Sequence, residues 1–292
     1  FNYPGNYWNA ASGIINYLLE TNDGDIKGKK IALIYHNSAY GKEPIRTLEE
    51  LAKKHGFELS LLPVDHPGQE QKSQWLQIRR EKPDNVVMWG WGVMNQVAIQ
   101  EAANIRYPMD QFIGVWWAGA QHDVLPAGDA ANGYKAVTFH AIGDDYPVFD
   151  DIQTYVVDKG LAAGAGDQIG TVIYNRGIYA AMLAAEAAKD AQVASGVKDI
   201  TGGMMRDAME NLNITEERMA SLGMPNFGPA FQVTCENHGG PGLVAVGQWD
   251  ATAKEWNLIS DFKETDMSII QPLIDEDSAA YAAENNIEPN CK

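Results

Sequence analysis

The chain of 292 residues is long enough for two lobes, and its hydrophobic content of 45% suits a globular protein with a real core. Thirty-nine acids against 22 lysines and arginines leave a net charge of −17, which repels nucleic acid and anionic lipid, and no basic stripe opposes this. No apolar run reaches the roughly 18 residues of a membrane helix, so direct membrane insertion is not expected. The chain opens at Phe1 without a methionine or a charged-then-apolar leader, the pattern of a sequence whose signal peptide has been removed.

Residues 6–20 place Tyr7, Ala11, Ile14, Ile15 and Leu18 on one helical stripe and end in the turn signal TNDGD. KKIALIYH (29–36) reads as a buried strand. Glu43 and Pro44 open the next helix, with Ile45, Leu48, Leu51 and Ala52 inward and Gly56 at its end. A second strand over 57–64 and a helix over 69–82, stopping before Pro83, follow. Residues 85–119 then hold two short apolar runs, 86–89 and 112–115, each stopping at a cluster of tryptophan and glycine. Between them Met94, Val97, Ala98 and Ala102 recur at helical spacing. Strand, helix and strand in that order make a βαβ unit with parallel strands. With a fifth strand over 134–140, residues 1–142 read as a doubly wound α/β lobe.

The carboxyl ends of parallel strands are where open α/β sheets bind ligands. Here they carry Trp89, Trp91, Trp116 and Trp117, half of the eight tryptophans, which suggests an apolar pocket with indole N–H donors.

After His140 the rhythm changes. Helices are expected over 147–159, 171–191, 203–211 and 216–222, with a Gly/Ala loop over 160–170 and no strand between 141 and 229. Strands return at 231–234, 243–249 and 255–260, the last two a hairpin around DATAK. The tail holds eight acids and two lysines from 261 to 292, with a helix near 269–281. The middle helices have apolar faces, and this chain supplies no sheet for them to cover.

Enzyme motifs fare badly. GAGDQIG (164–170) misses the dinucleotide-loop spacing and follows a helix, so it reads as a connector. No G-x-S-x-G elbow occurs, and the six histidines include no pair at helical metal-ligand spacing. No catalytic constellation, metal or cofactor is implied. Cys235 and Cys291 lack C-x-x-C spacing and are either buried free thiols or one disulfide. The disulfide is favoured because Cys291 otherwise leaves a polar tail with little to hold it, and it would place the protein in an oxidising compartment.

Several strings in order, KGKKIALIYHNSAYGKE, DNVVMWGWGVMNQ, QFIGVWWAGA, LPAGDAANGYKA and VIYNRGIYAAMLAAEA, give the chain a resemblance. It resembles the type I periplasmic solute-binding proteins of ABC importers, in the branched-chain amino-acid (Leu/Ile/Val) branch. The resemblance implies two α/β lobes, each with a doubly wound parallel sheet, joined by crossover strands around a trapped ligand. Residues 1–142 then correspond to the second, C-terminal lobe. Residues 143–230 correspond to a helical remainder of the first, residues 231–262 to the return strands, and residues 263–292 to an acidic tail. The opening of the first lobe, on the order of 100 residues for about three βα units, is expected to lie before Phe1. It also implies a periplasmic or otherwise extracytoplasmic location, a membrane permease as partner and a small ligand, an amino acid or organic acid.

The resemblance places a ligand-contacting tyrosine at Tyr40. Trp89 and Trp91 alternate at a strand end, so one faces the core and Trp91 is the better cleft residue. Trp116 falls where amino-acid-binding relatives carry an acid that pairs with the ligand ammonium. That departure favours an apolar or aromatic carboxylate over a branched-chain amino acid, because an indole offers only cation–π attraction. Asn175 and Arg176, near a helix start, are placed to hold an anion or, alternatively, to make an interlobe salt bridge. Asn95 and Tyr7 complete the candidate set. The competing functions are a cytoplasmic ligand sensor on the same fold and, further off, an amide hydrolase.

Overall fold

The computed structural model describes residues 1–2, 4–164, 166–288 and 291. The first half alternates as its hydrophobic pattern dictates: α1 (Tyr7–Glu20), β1 (Lys30–His36), α2 (Ala39–His55), β2 (Glu58–Val64), α3 (Lys72–Glu81), β3 (Asn85–Trp89), α4 (Val93–Asn104), β4 (Phe112–Gly114), α5 (Gln121–Val124) and β5 (Lys135–Thr138). β1 is buried throughout after Lys30, as a central parallel strand covered on both faces must be. α2 begins at Ala39 rather than at Glu43, because the Ser38 hydroxyl caps it by accepting from the Gly41 N–H at 3.3 Å. Pro44 therefore lies inside the helix. Gly41 is required at this entry, since a Cβ there would lie 1.7 Å from the His36 carbonyl oxygen.

The sheet has seven strands in the order β2-β1-β3-β4-β5-β8-β9, with β8 (Ala245–Asp250) and β9 (Glu255–Leu258). The first five strands are parallel, and β8 pairs antiparallel with both β5 and β9. Connectivity reverses between β1 and β3, so the helices that follow them pack on opposite faces and leave a crevice at the strand ends. One apolar core, with Trp75, Trp89, Phe112 and Tyr134 among its largest members, fills this half.

A second core is built by α6 (Pro147–Ile152), α7 (Val172–Ser195), α8 (Gly202–Met209), β6 (Asn213–Ile214), α9 (Glu216–Ser221) and β7 (Phe231–Gln232) around Phe149, Tyr179, Leu183 and Phe227. Two expectations change here. A strand does occur between 141 and 229, the two-residue β6, and β7 pairs antiparallel with it rather than joining the large sheet. Phe231 and Val233 are drawn into the second core, so the return to the first begins only near Val244. The helix expected over 147–159 is α-helical to Ile152 and continues as a π turn over Gln153–Val157. The connector GAGDQIG includes Ala165, which lies outside the described residues.

α10 (Met267–Asn285) returns over α2, where Arg46 pairs with Glu276 and Asp277. Cys235 and Cys291 are bonded, with Cα atoms 5.4 Å apart. Among the described residues, no helix is long and apolar enough to cross a membrane.

Candidate functional site

The crevice between β1 and β3 is bridged by Tyr40, in the first turn of α2, whose hydroxyl donates to the Gly90 carbonyl at 2.9 Å. Burial and the nearby Tyr7 hydroxyl hold the Tyr40 phenol far above its ordinary pKa, so it stays a neutral donor. Tyr7, in the first turn of α1, is the hub of the aromatic cluster. Its ring stacks on Trp116 (5.4 Å between centroids, 25°) and meets Tyr40 and Trp89 edge-on at 5.2 and 5.9 Å. Its hydroxyl accepts from the Trp117 indole N–H at 2.9 Å. Phe139, just after β5, meets Trp116 edge-on at 5.2 Å. Strand alternation would put residues 89 and 91 on one face, but β3 ends at the fully buried Trp89 and Trp91 lies beyond it, 55% exposed, where it meets Trp117 edge-on at 5.6 Å.

Arg176 enters this cluster from the second turn of α7, and it is only 8% exposed. Its guanidinium lies over the rings of Trp117 (4.8 Å) and Phe139 (5.3 Å). Nη2 donates to the Trp116 carbonyl at 2.8 Å and Nε to His140 Nε2 at 3.3 Å, while Nη1 is buried with no hydrogen-bond partner among the described residues. Burial lowers its pKa to about 10, against the opposing pull of Asp123, so it remains a cation at neutral pH. No salt bridge to Arg176 forms among the described residues. The interlobe ion pair set against the anion reading is therefore not what occupies it.

His140 shows how far this cation dictates its surroundings. The ring is fully buried, and burial together with Arg176 lowers its pKa to about 3. Nδ1 lies 2.9 Å from the Ala141 carbonyl and so carries the proton, leaving Nε2 to accept from Arg176. Both ring nitrogens are thus engaged.

Asn95 and Asn175 sit behind the site. Asn95 Nδ2 donates to the Trp117 carbonyl (2.7 Å) and to Asp123 Oδ1 (3.0 Å), which fixes the Trp116–Trp117 turn to α4. Asn175 Nδ2 donates to the carbonyls of Ala141 and Gly143 at 3.3 and 2.8 Å, so it ties α7 to the chain leaving β5 instead of facing a cleft. Asp123 is fully buried, accepts from the Ala120 N–H at 3.0 Å, and is pushed up in pKa by desolvation.

Tyr7, Trp116, Trp117 and Phe139 form one wall of a cavity of about 770 Å³, walled on its far side by Trp8, Glu43, the loop after Cys235 and residues of α10. Of the residues expected from sequence to bind the ligand, Tyr7 and Trp116 line this cavity, whereas Tyr40, Trp89, Trp91, Asn95, Asn175 and Arg176 are not among its lining residues. A larger cavity of about 1240 Å³ lies elsewhere, between Tyr17, Lys135 and Ser260, outside the aromatic cluster. The structure thus brings Tyr7, Tyr40, Trp89, Trp91, Trp116 and Arg176 into one connected group and uses Asn95 and Asn175 as its backbone ties. Asp123, Phe139 and His140 were not singled out by sequence. Phe139 and His140 end an apolar strand, a position that could have flagged them, whereas Asp123 in QHDV carries no local signal.

A family model described as periplasmic binding protein matches residues 1–254. Among solved structures, one described as an ABC transporter permease from the Pseudomonas fluorescens group is 39% identical, with a TM-score of 0.91 over 97% of this chain and 69% of that one. A branched-chain amino acid ABC transporter from Thermus thermophilus with bound valine matches at 19% identity and TM-score 0.71, over 89% of this chain and 66% of that one. A fatty acid ABC transporter substrate-binding protein from Thermomonospora curvata matches at 18% and 0.68, over 91% and 65%. The chain thus spans about two thirds of the length of each of these structures. No curated protein sequence matches.

Proposed function

The chain belongs to the periplasmic binding protein family, and from that premise we propose that it serves an ABC importer as an extracytoplasmic solute-binding protein. Residues 1–142 and the strands returning after 243 form one ligand-binding lobe, residues 143–230 belong to the other, and closure of the two around a ligand is the working motion. The ligand is a small carboxylate with an apolar or aromatic body, or a branched-chain amino acid. It delivers its solute to a membrane permease.

The observation that carries this reading is the buried Nη1 of Arg176, unpartnered among the described residues, on a guanidinium that lies behind the cavity wall against Trp117 and Phe139, two of the rings that line the 770 Å³ cavity. A buried cation with no direct ion pair among the described residues is costly, and a charge-assisted hydrogen bond to a ligand carboxylate contributes about 1.5–3 kcal/mol. The rings of Trp116, Trp117, Phe139 and Tyr7 supply the apolar surface for the rest of the molecule.

A thermal-shift and calorimetric screen of aromatic carboxylates, branched-chain amino acids and their neutral amides tests this. Carboxylates are expected to bind and stabilise, by about 2.7 kcal/mol at 100-fold excess over Kd, and the matching amides to fail. Stabilisation by none of them, or by amides and carboxylates alike, sinks the assignment.

A further inference from the structure

The turn after β7, which walls the far side of the 770 Å³ cavity, carries a cluster of metal-ligating side chains. Cys235 and His238 stand in C-x-x-H spacing, and Glu210, at the end of α8, faces them from the second core. The donor atoms of Glu210, Cys235 and His238 lie within 4.8 Å of one another. His238 Nε2 is buried, has no hydrogen-bond partner among the described residues, and stands 3.4 Å from Glu210 Oε1. The turn is held by its own bonds: the Asn237 N–H donates to the Thr234 hydroxyl at 3.1 Å, and Asn237 Nδ2 to the Gly240 carbonyl at 2.9 Å. The Phe1 ring stacks on the imidazole at 4.3 Å, which fixes its plane.

We propose that this corner is a redox-gated zinc site, with Cys235, His238 and Glu210 as three protein ligands and water as the fourth. Thiolate, imidazole and carboxylate in tetrahedral array are zinc's preferred donors, at bond lengths of about 2.0–2.3 Å that put ligand atoms roughly 3.4–3.8 Å apart. Against the present 4.8 Å limit this needs a contraction of about 1.4 Å at most, within the reach of side-chain rotation.

The gate is the bond between Cys235 and Cys291, since one Sγ cannot serve both partners. A dithiol reductant supplies two electrons and two protons, the Sγ–Sγ bond breaks to two thiols, and the reductant closes to its own disulfide. Zn²⁺ then takes Cys235 as thiolate, and the thiol proton passes to solvent. Metal loading and the tether on the C-terminal segment are therefore mutually exclusive. This proposal does not depend on the identity of the imported solute.

The test compares C291S, which leaves Cys235 free without reductant, with C235S, which removes the ligand and the same disulfide. Zn²⁺ is titrated against a chromophoric chelator, and Co²⁺ is substituted to read thiolate-to-metal absorption. C291S is expected to bind one equivalent at least roughly 100-fold more tightly than C235S or the oxidised wild type. It should also show the thiolate band, and adding H238A should weaken it by about 10-fold or more. The wild type treated with a phosphine reductant should behave as C291S, which keeps the test valid if the variants fold poorly. Equal affinity in C235S, or no thiolate band in C291S and the reduced wild type, overturns the proposal.

Discussion

The Tyr40 hydroxyl and the Gly90 carbonyl, 2.9 Å apart, join the carboxyl ends of β1 and β3 where the connectivity of the sheet reverses. In an open α/β sheet that crevice is the default ligand position. Here a side chain of the protein closes it, and the open volume shifts along the sheet to Tyr7, Trp116 and Phe139. This cavity lies toward the ends of β4 and β5, and Arg176 stands behind it against Trp117 and Phe139.

Removing that hydroxyl isolates its contribution. Tyr40→Phe keeps the ring contacts and is expected to lower stability by about 1 kcal/mol, the usual net value of one hydrogen bond. Urea denaturation should show a lower midpoint at unchanged slope; an unchanged midpoint would mean that water replaces the bond without loss.

Arg176 separates stability from binding. Arg176→Met keeps most of the side-chain volume beneath Trp117 and Phe139 while removing a buried charge that has no direct ion pair among the described residues. The variant should be as stable as the wild type or more so, because apolar replacements of buried charge are often neutral or stabilising. Carboxylate binding, in contrast, should weaken by roughly 2–3 kcal/mol. Calorimetry alongside thermal melting checks both halves, and unchanged affinity would remove Arg176 from the site.

His140 sets a pH dependence whose sign follows from its surroundings. Its folded pKa of about 3 lies below the ordinary value near 6.5, so its contribution to stability is complete above about pH 6.5. As pH falls below that value, the unfolded chain takes up a proton that the folded ring refuses, and stability declines toward pH 3 by up to about 1.4 kcal/mol per unit. Asn retains a donor near the Ala141 carbonyl and does not titrate. Melting of His140→Asn between pH 7 and 5 should therefore be flatter than that of the wild type; parallel curves would contradict the assignment.

Gly90 controls the back of the site. A Cβ at this position would stand 2.1 Å from Asn95 Oδ1, which the chain must relieve by moving the amide that holds Trp117 and Asp123. Gly90→Ala is expected to cost about 1–3 kcal/mol through overpacking and to disturb the Trp117 indole. Tryptophan emission and chemical denaturation together report it, and a variant with wild-type emission and stability would show that Asn95 can yield freely.

Local pattern by itself determined the parallel half of this protein. The apolar runs 86–89 and 112–115 announce themselves by stopping at tryptophan and glycine, because a strand buried on both faces must be apolar throughout. The same periodicity placed the tryptophans at strand ends, and the order of conserved-looking strings pointed to the family to which the chain belongs.

Tertiary structure alone decided the rest. That β7 pairs with β6 depends on two-residue segments too short to show any period, joined only when the second core forms. That Arg176 is buried against Trp116, 60 residues away, with His140 held neutral beside it, is a matter of desolvation, which no spacing in the chain encodes. The tie from Asn95 to Asp123 spans 28 residues and turns a residue expected to touch the ligand into a buried support for the Trp117 backbone. Periodicity reports which face of an element is buried; it cannot report which charge is left there without a partner.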